Sequence, residues 1–188
     1  MAFDRDAMAK EFDAAIGDLE RALRECPGEL WEASVWPVLV TDAWIWPRPG
    51  VDPIPERTEE SIQAFSAFWC VAYHCLWFLD FYVTADPRGF ESPDYIRGGP
   101  EELGFAADGA VALPGPTFPR ESLLKYVDYG RTRIHNVLSG VTDAQLSERC
   151  GNGHPHTGKT LKQLLDVNLA HVKEHGAQLL DFVQHVSA

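Results

Sequence analysis

The chain has 188 residues, of which 45% are hydrophobic and 11% aromatic. That is enough for one domain with a buried core, and it excludes wholesale disorder. The formal net charge of -12 and a pI near 4.9 leave no basic footprint for a nucleic-acid backbone, so residues 1–188 are read as a single domain without a nucleic-acid partner.

The first predicted helix covers residues 4–24. Phe12, Ala15, Ile16, Leu19, Ala22 and Leu23 recur at three- and four-residue steps and form one apolar stripe. Pro27-Gly28 stops it. The opening MAFDRDAMAKEFDAAIGD has no basic region followed by an apolar run, so no secretory signal is expected. Residues 29–57 hold Trp31, Trp36, Trp44 and Trp46 with five prolines, Pro37, Pro47, Pro49, Pro53 and Pro55. Proline at that density breaks helices and central strands. The expectation is an ordered connection laid over the helices, with a short extended or helical piece around residues 38–46 and tryptophans that cap the core.

The second predicted helix runs over residues 58–83, with Thr58 as its N-cap and Glu59 and Glu60 in its first turn. From Phe65 onward it is apolar on nearly every side, which marks it as the most buried helix. Residues 64–83 match the roughly 20 residues of a bilayer span. They also contain Ser66, His74 and Asp80, and no Lys/Arg cluster flanks them. A charge at the centre of a span costs about 2.5–3.5 kcal/mol, so a buried helix is expected and no membrane partner.

Residues 85–118, rich in Gly and Pro, form a long connection suited to a crossover between distant helix ends, with a turn or hairpin at 104–113. The third helix is placed at 119–138, buried through Leu123, Leu124, Val127, Ile134, Val137 and Leu138 and closed by Gly140. Thr142 and Gln145 make a capping box for a short helix, and Thr160 and Gln163 make another for the last helix, residues 160–184. Four main helices, two long connections and no convincing strand pair give an all-α fold, a four-helix bundle with long crossover connections.

Four cysteines, Cys26, Cys70, Cys75 and Cys150, form no C-x-x-C pair. They read as reduced structural thiols of a cytoplasmic protein.

The chemistry-bearing pattern is His171-Val-Lys-Glu-His175. At about 100° per residue the two imidazoles lie about 40° apart on one face. They border the arc of Leu161, Leu165, Leu169, Val172, Gly176, Leu179 and Val183, on a flank with Leu164, Asn168 and Phe182. That flank faces another helix. His74, set among Cys70, Val71, Trp77, Phe78 and Phe81 in the most buried helix, supplies the third imidazole. An unpartnered buried ring nitrogen costs about 1–3 kcal/mol, and a shared metal ion satisfies one nitrogen of each ring. Three imidazoles leave coordination positions open, the catalytic pattern for zinc. Gln178, three residues after His175 and close to His171 on the wheel, and Asn168 are candidates for supporting or substrate contacts. No catalytic residue is assigned.

Other arrangements fit less well. HVKEH also matches H-x-x-E-H, but no Glu follows Glu174 to complete the peptidase ligand set. The Glu-x-x-His of di-iron bundles is absent, since Val71, Asn168 and Val172 precede the three histidines by three. His154 and His156 in a Gly/Pro loop are the rival ligands, read as solvated or hanging over the pocket. His135 and His185 are given no role.

The segments FSAFWCVAYHCLWFLDFYV and LKQLLDVNLAHVKEHGAQLLDF resemble the DinB-like (DinB/YfiT) family of four-helix proteins. In that family a histidine of the second helix and an H-x-x-x-H of the last bind a divalent metal, and His74, His171 and His175 stand at those positions. The resemblance implies an up-down-down-up bundle, a homodimer, and zinc or nickel as the ion. It also implies a small-molecule substrate and a thiol-dependent S-transferase using a low-molecular-weight thiol such as bacillithiol, mycothiol or a glutathione-like cofactor. A metal-dependent hydrolase and a non-catalytic dimeric metal-binding or stress-response bundle remain as alternatives, because fold does not fix function.

Overall fold

The computed structural model describes residues 3–39, 42, 57–84, 90–103, 112–150 and 156–186. Among these residues there are six α-helices and no strand: α1 (Arg5–Glu25), α2 (Phe68–Phe81), α3 (Pro100–Leu103), α4 (Arg120–Gly140), α5 (Asp143–Ser147) and α6 (Leu161–Val186). The four long ones make the core. α1 packs on α4 and α6, and α2 packs on the same two. Each helix of one pair is thus bridged by both helices of the other.

α1 starts where Asp4 accepts a hydrogen bond from the Ala7 N–H at 2.9 Å, and its buried residues are the six of the predicted stripe. At α5, Thr142 and Gln145 exchange the reciprocal bonds of a capping box. The same exchange opens α6, where Gln163 Oε1 accepts from Thr160 N–H at 2.9 Å and Thr160 Oγ1 from Gln163 N–H at 3.2 Å. On α4 the inward face differs in detail from expectation. Tyr126 and Gly130 are buried on it, while Leu124 and Val137 are only half-buried at its edges.

The second predicted helix is where sequence reading and structure part. Residues Ser61–Ser66 form a 3₁₀ helix, Ala67 is extended at ψ 140°, and α2 begins only at Phe68. The Trp-rich segment causes the break. Val35 N–H donates to Ser66 O at 2.8 Å, Phe68 N–H to Ala33 O at 3.0 Å and Trp69 N–H to Trp31 O at 3.1 Å. The first N–H groups of a helix have no partner within it. Here the neighbouring turn segment around Trp31 and Ala33 supplies acceptors for the first two of them, so the helix starts at that point. Thr58 is not the N-cap of this segment, a position that Glu60 holds; it exchanges side-chain bonds with Ser61 in the turn just before. Among the described residues no helix is long and apolar enough to cross a membrane.

Trp31 closes one end of the core. Its ring lies 5.5 Å from Phe68, and its indole N–H donates to Phe118 O at 2.9 Å. Trp36 is half-buried against the same cluster, whereas Trp44, Trp46 and most of the piece expected at 38–46 lie outside the described residues. The connection after α2 carries a 3₁₀ turn, Asp94–Ile96, and the short α3, neither of which was expected. The hairpin expected at 104–113 falls almost wholly outside the described residues.

α2 also buries a charge. Asp80 is 1% exposed, accepting from Arg133 Nε at 3.0 Å and Tyr126 Oη at 3.3 Å. Burial raises its pKa and the guanidinium pulls the other way. Removing one partner of a buried pair costs about 3–5 kcal/mol. Arg133→Met is therefore expected to lower urea-unfolding stability by about 3 kcal/mol at pH 7.5. A carboxyl whose folded pKa is raised above 3.8 loses stability as pH rises, so the penalty should shrink at pH 5.

Candidate metal centre

α2 and α6 lie side by side, fastened where the fully buried Asn168 donates from Nδ2 to Leu79 O at 3.0 Å. This register brings His74 of α2 opposite the pair on α6. Ring centroids are 5.1 Å apart for His74 and His171, 5.2 Å for His74 and His175, and 4.5 Å for His171 and His175. One ring nitrogen from each can be chosen so that all three lie within 4.8 Å of one another. The Nε2 atoms of His74 and His171 are 3.2 Å apart. Edges of a tetrahedron with metal–nitrogen bonds of about 2.1 Å are roughly 3.4 Å, so this pair stands at coordination spacing.

The far nitrogens decide which atoms face inward. His74 Nδ1 lies 2.7 Å from Glu101 Oε1, and His175 Nδ1 lies 2.8 Å from Gln178 Oε1. Carboxylate and amide oxygens accept, so both Nδ1 atoms carry the proton and both Nε2 atoms keep a lone pair. His171 is the exception. Its Nδ1 is buried without a hydrogen-bond partner among the described residues. A neutral imidazole has one donor and one acceptor nitrogen, and the outer nitrogen of this ring goes unsatisfied in either tautomer, at a cost of about 1–3 kcal/mol.

Charge is disfavoured on the α6 rings. His171 is pushed down to about 3, first by burial and then by the neighbouring His175 and His74. His175 is lowered by burial and by His74, against a weaker pull from Gln178 and Glu174. Neutral imidazole is the form that ligates metal. Three imidazole nitrogens suit zinc, nickel, copper or iron rather than magnesium or calcium.

Glu101 of α3 is the functional residue that sequence reading missed. His74 was expected among apolar neighbours alone. Its side chain is 37% exposed instead, packed edge-on against Phe78 and bonded to a carboxylate that is 15% exposed. The available signal was Pro100-Glu101-Glu102, a proline followed by acids, which is how helices begin. Four residues give no periodicity to confirm it. Gln178 bonds His175 rather than the neighbouring His171. His156 stands to one side, its Nε2 3.2 Å from the Tyr82 hydroxyl, and Tyr82 packs on His171 with centroids 6.3 Å apart. His154 lies outside the described residues. His135 pairs with Asp13, and His185 with Asp181.

A group with a folded pKa near 3 and an unfolded value of 6.5 favours the native state fully above pH 6.5, and that advantage is lost as pH falls toward 3. In chelator-treated protein, urea midpoints should drop between pH 7.5 and 5, and less steeply in His171→Phe. Equal slopes in the two proteins would show that this ring is not the buried neutral base.

A family model described as the DinB superfamily matches residues 11–179, a stretch that contains all three histidines and Glu101. No curated protein and no solved structure matches the chain.

Proposed function

The chain belongs to the DinB superfamily, and from that premise we propose that it holds one divalent ion, zinc or nickel, on His74, His171 and His175 and acts as a low-molecular-weight-thiol-dependent S-transferase. The observation that carries the reading is the convergence of three imidazole nitrogens within 4.8 Å, where partners on Nδ1 aim His74 and His175 and burial disfavours charge on His171 and His175. When bound, the ion supplies Lewis acidity that favours the thiolate form of a thiol cofactor.

The protein's own thiols support an external nucleophile. Cys26 is pushed up to about 11 by burial, and burial raises Cys70, Cys75 and Cys150 as well. A thiolate, not a thiol, attacks an electrophile. Side chains held protonated at neutral pH are poor nucleophiles, so the reactive sulfur in this reading arrives on a small molecule. Gln178 orients His175, and Asn168 fastens α6 to α2, so both act on the ligand rings.

The remaining parts of the reading are a single domain over residues 1–188, an up-down-down-up bundle, a homodimer, a small-molecule substrate, a cytoplasmic location, and neither nucleic-acid nor membrane partners. The bridging of α1 and α2 by α4 and α6 favours the bundle, and the charge of -12 disfavours a nucleic-acid partner.

Purified protein is expected to carry about one ion per chain, read by elemental analysis. His171→Ala should lower occupancy more than tenfold under a competing chelator, because a ligand is lost from a set of three. Conjugation of an electrophile to glutathione, bacillithiol or mycothiol should vanish on chelation and return with zinc or nickel. Unchanged occupancy in His171→Ala overturns the site. Tight metal with no turnover on any thiol leaves the non-catalytic bundle, and ester cleavage without thiol leaves the hydrolase.

A further inference from the structure

We propose that Glu101 is a positioning residue of this centre, holding His74 as its Nδ1–H tautomer so that the Nε2 lone pair faces the α6 histidines. An ionised carboxylate can only accept, and its oxygen lies 2.7 Å from Nδ1, a charge-assisted distance. Among the described residues it is the only carboxylate hydrogen-bonded to any of the three rings. His175 has a neutral amide, and His171 has nothing on Nδ1. Glu101 therefore sets both the orientation of His74 and the electron density on its ligating nitrogen.

The carboxylate is held for this task at a cost. Its second oxygen, Oε2, is buried without a hydrogen-bond partner among the described residues. A half-satisfied buried carboxylate destabilises a fold unless its remaining bond is strong. The bond to His74 strengthens as the ring gains positive character, which happens when a cation sits on Nε2. Stabilisation is greatest when the centre is loaded.

The backbone that presents Glu101 leaves it little freedom. Gly98 has φ 78°, a region that favours glycine, and its N–H donates to Glu102 Oε2 at 2.7 Å. Gly99 lies flat on Tyr73, where an added Cβ would come within 2.1 Å of the ring. Ile96, just before, is fully buried. The turn is thereby pinned against Tyr73, the residue of α2 that precedes His74.

The role of the ion rests on the three-histidine reading, whereas the tautomer does not, so the two can fail separately. In metal-free protein at pH 7.5, ¹⁵N-detected imidazole correlations should show His74 as Nδ1–H. Glu101→Gln, which keeps an acceptor but loses the charge, should retain that tautomer and bind zinc several-fold more weakly in chelator competition. Glu101→Ala should give a mixed or Nε2–H ring and lose about 10–100-fold in zinc affinity. A wild-type His74 found as Nε2–H overturns the proposal. So does zinc affinity within twofold of wild type in Glu101→Gln, the variant that decides if the alanine chain does not fold. If His171→Ala binds zinc like the wild type while the tautomer result holds, the metal reading fails and the Glu101–His74 contact stands.

Discussion

Polar groups on a helix that is apolar on almost every side depend on the surrounding structure for their partners, and α2 is such a helix. It is covered by α4 and α6 on its flanks and by the Trp31 segment at its start. Three of its polar groups are met by different neighbours. Asp80 is met by Arg133 and Tyr126 of α4, the Leu79 carbonyl by Asn168 of α6, and His74 by Glu101 of α3. These bonds are worth more in a low-dielectric interior than in water, and breaking one strands its partner. They set the register of α2 against the two helices beside it, and through that register the position of His74.

The centre is consequently assembled from three separate parts of the chain. The α6 pair comes ready-made from helical spacing, because residues four apart lie one above the other. His74 reaches it only because Asn168 and the packed apolar faces hold α2 in place. Glu101 arrives from a connection between α2 and α4 whose apparent length suggested mere crossover. That connection is partly structural: Ile96 is buried, and Gly99 rests on Tyr73.

Electrostatics separates the chemistry of this site from that of the rest of the interior. Burial acts on imidazole and thiol in opposite directions with one physical cause, the penalty on the charged form. It lowers the pKa of His171 and His175, which makes them better ligands at neutral pH, and raises that of the cysteines, which silences them as nucleophiles. The interior therefore keeps the α6 imidazoles available as nitrogen donors and its own thiols protonated.

Periodic features could be read from the sequence because their cause is local. The stripe of α1, the two capping boxes and the inward edge occupied by His171 and His175 depend on residues a few positions apart. The three histidines could be named because an imidazole in an apolar run is conspicuous, and the family assignment followed from the same two segments. The extended Ala67 that interrupts the second helix was invisible, since nothing within residues 58–83 breaks a helix. The break comes from carbonyls of Trp31 and Ala33, more than thirty residues earlier in the chain. Glu101 was hidden likewise, in a four-residue helix too short to show a period. Local spacing determined which faces are apolar and which side chains share them; the partners of buried polar groups were decided by contacts across the fold, because a hydrogen bond to a distant segment leaves no periodic trace.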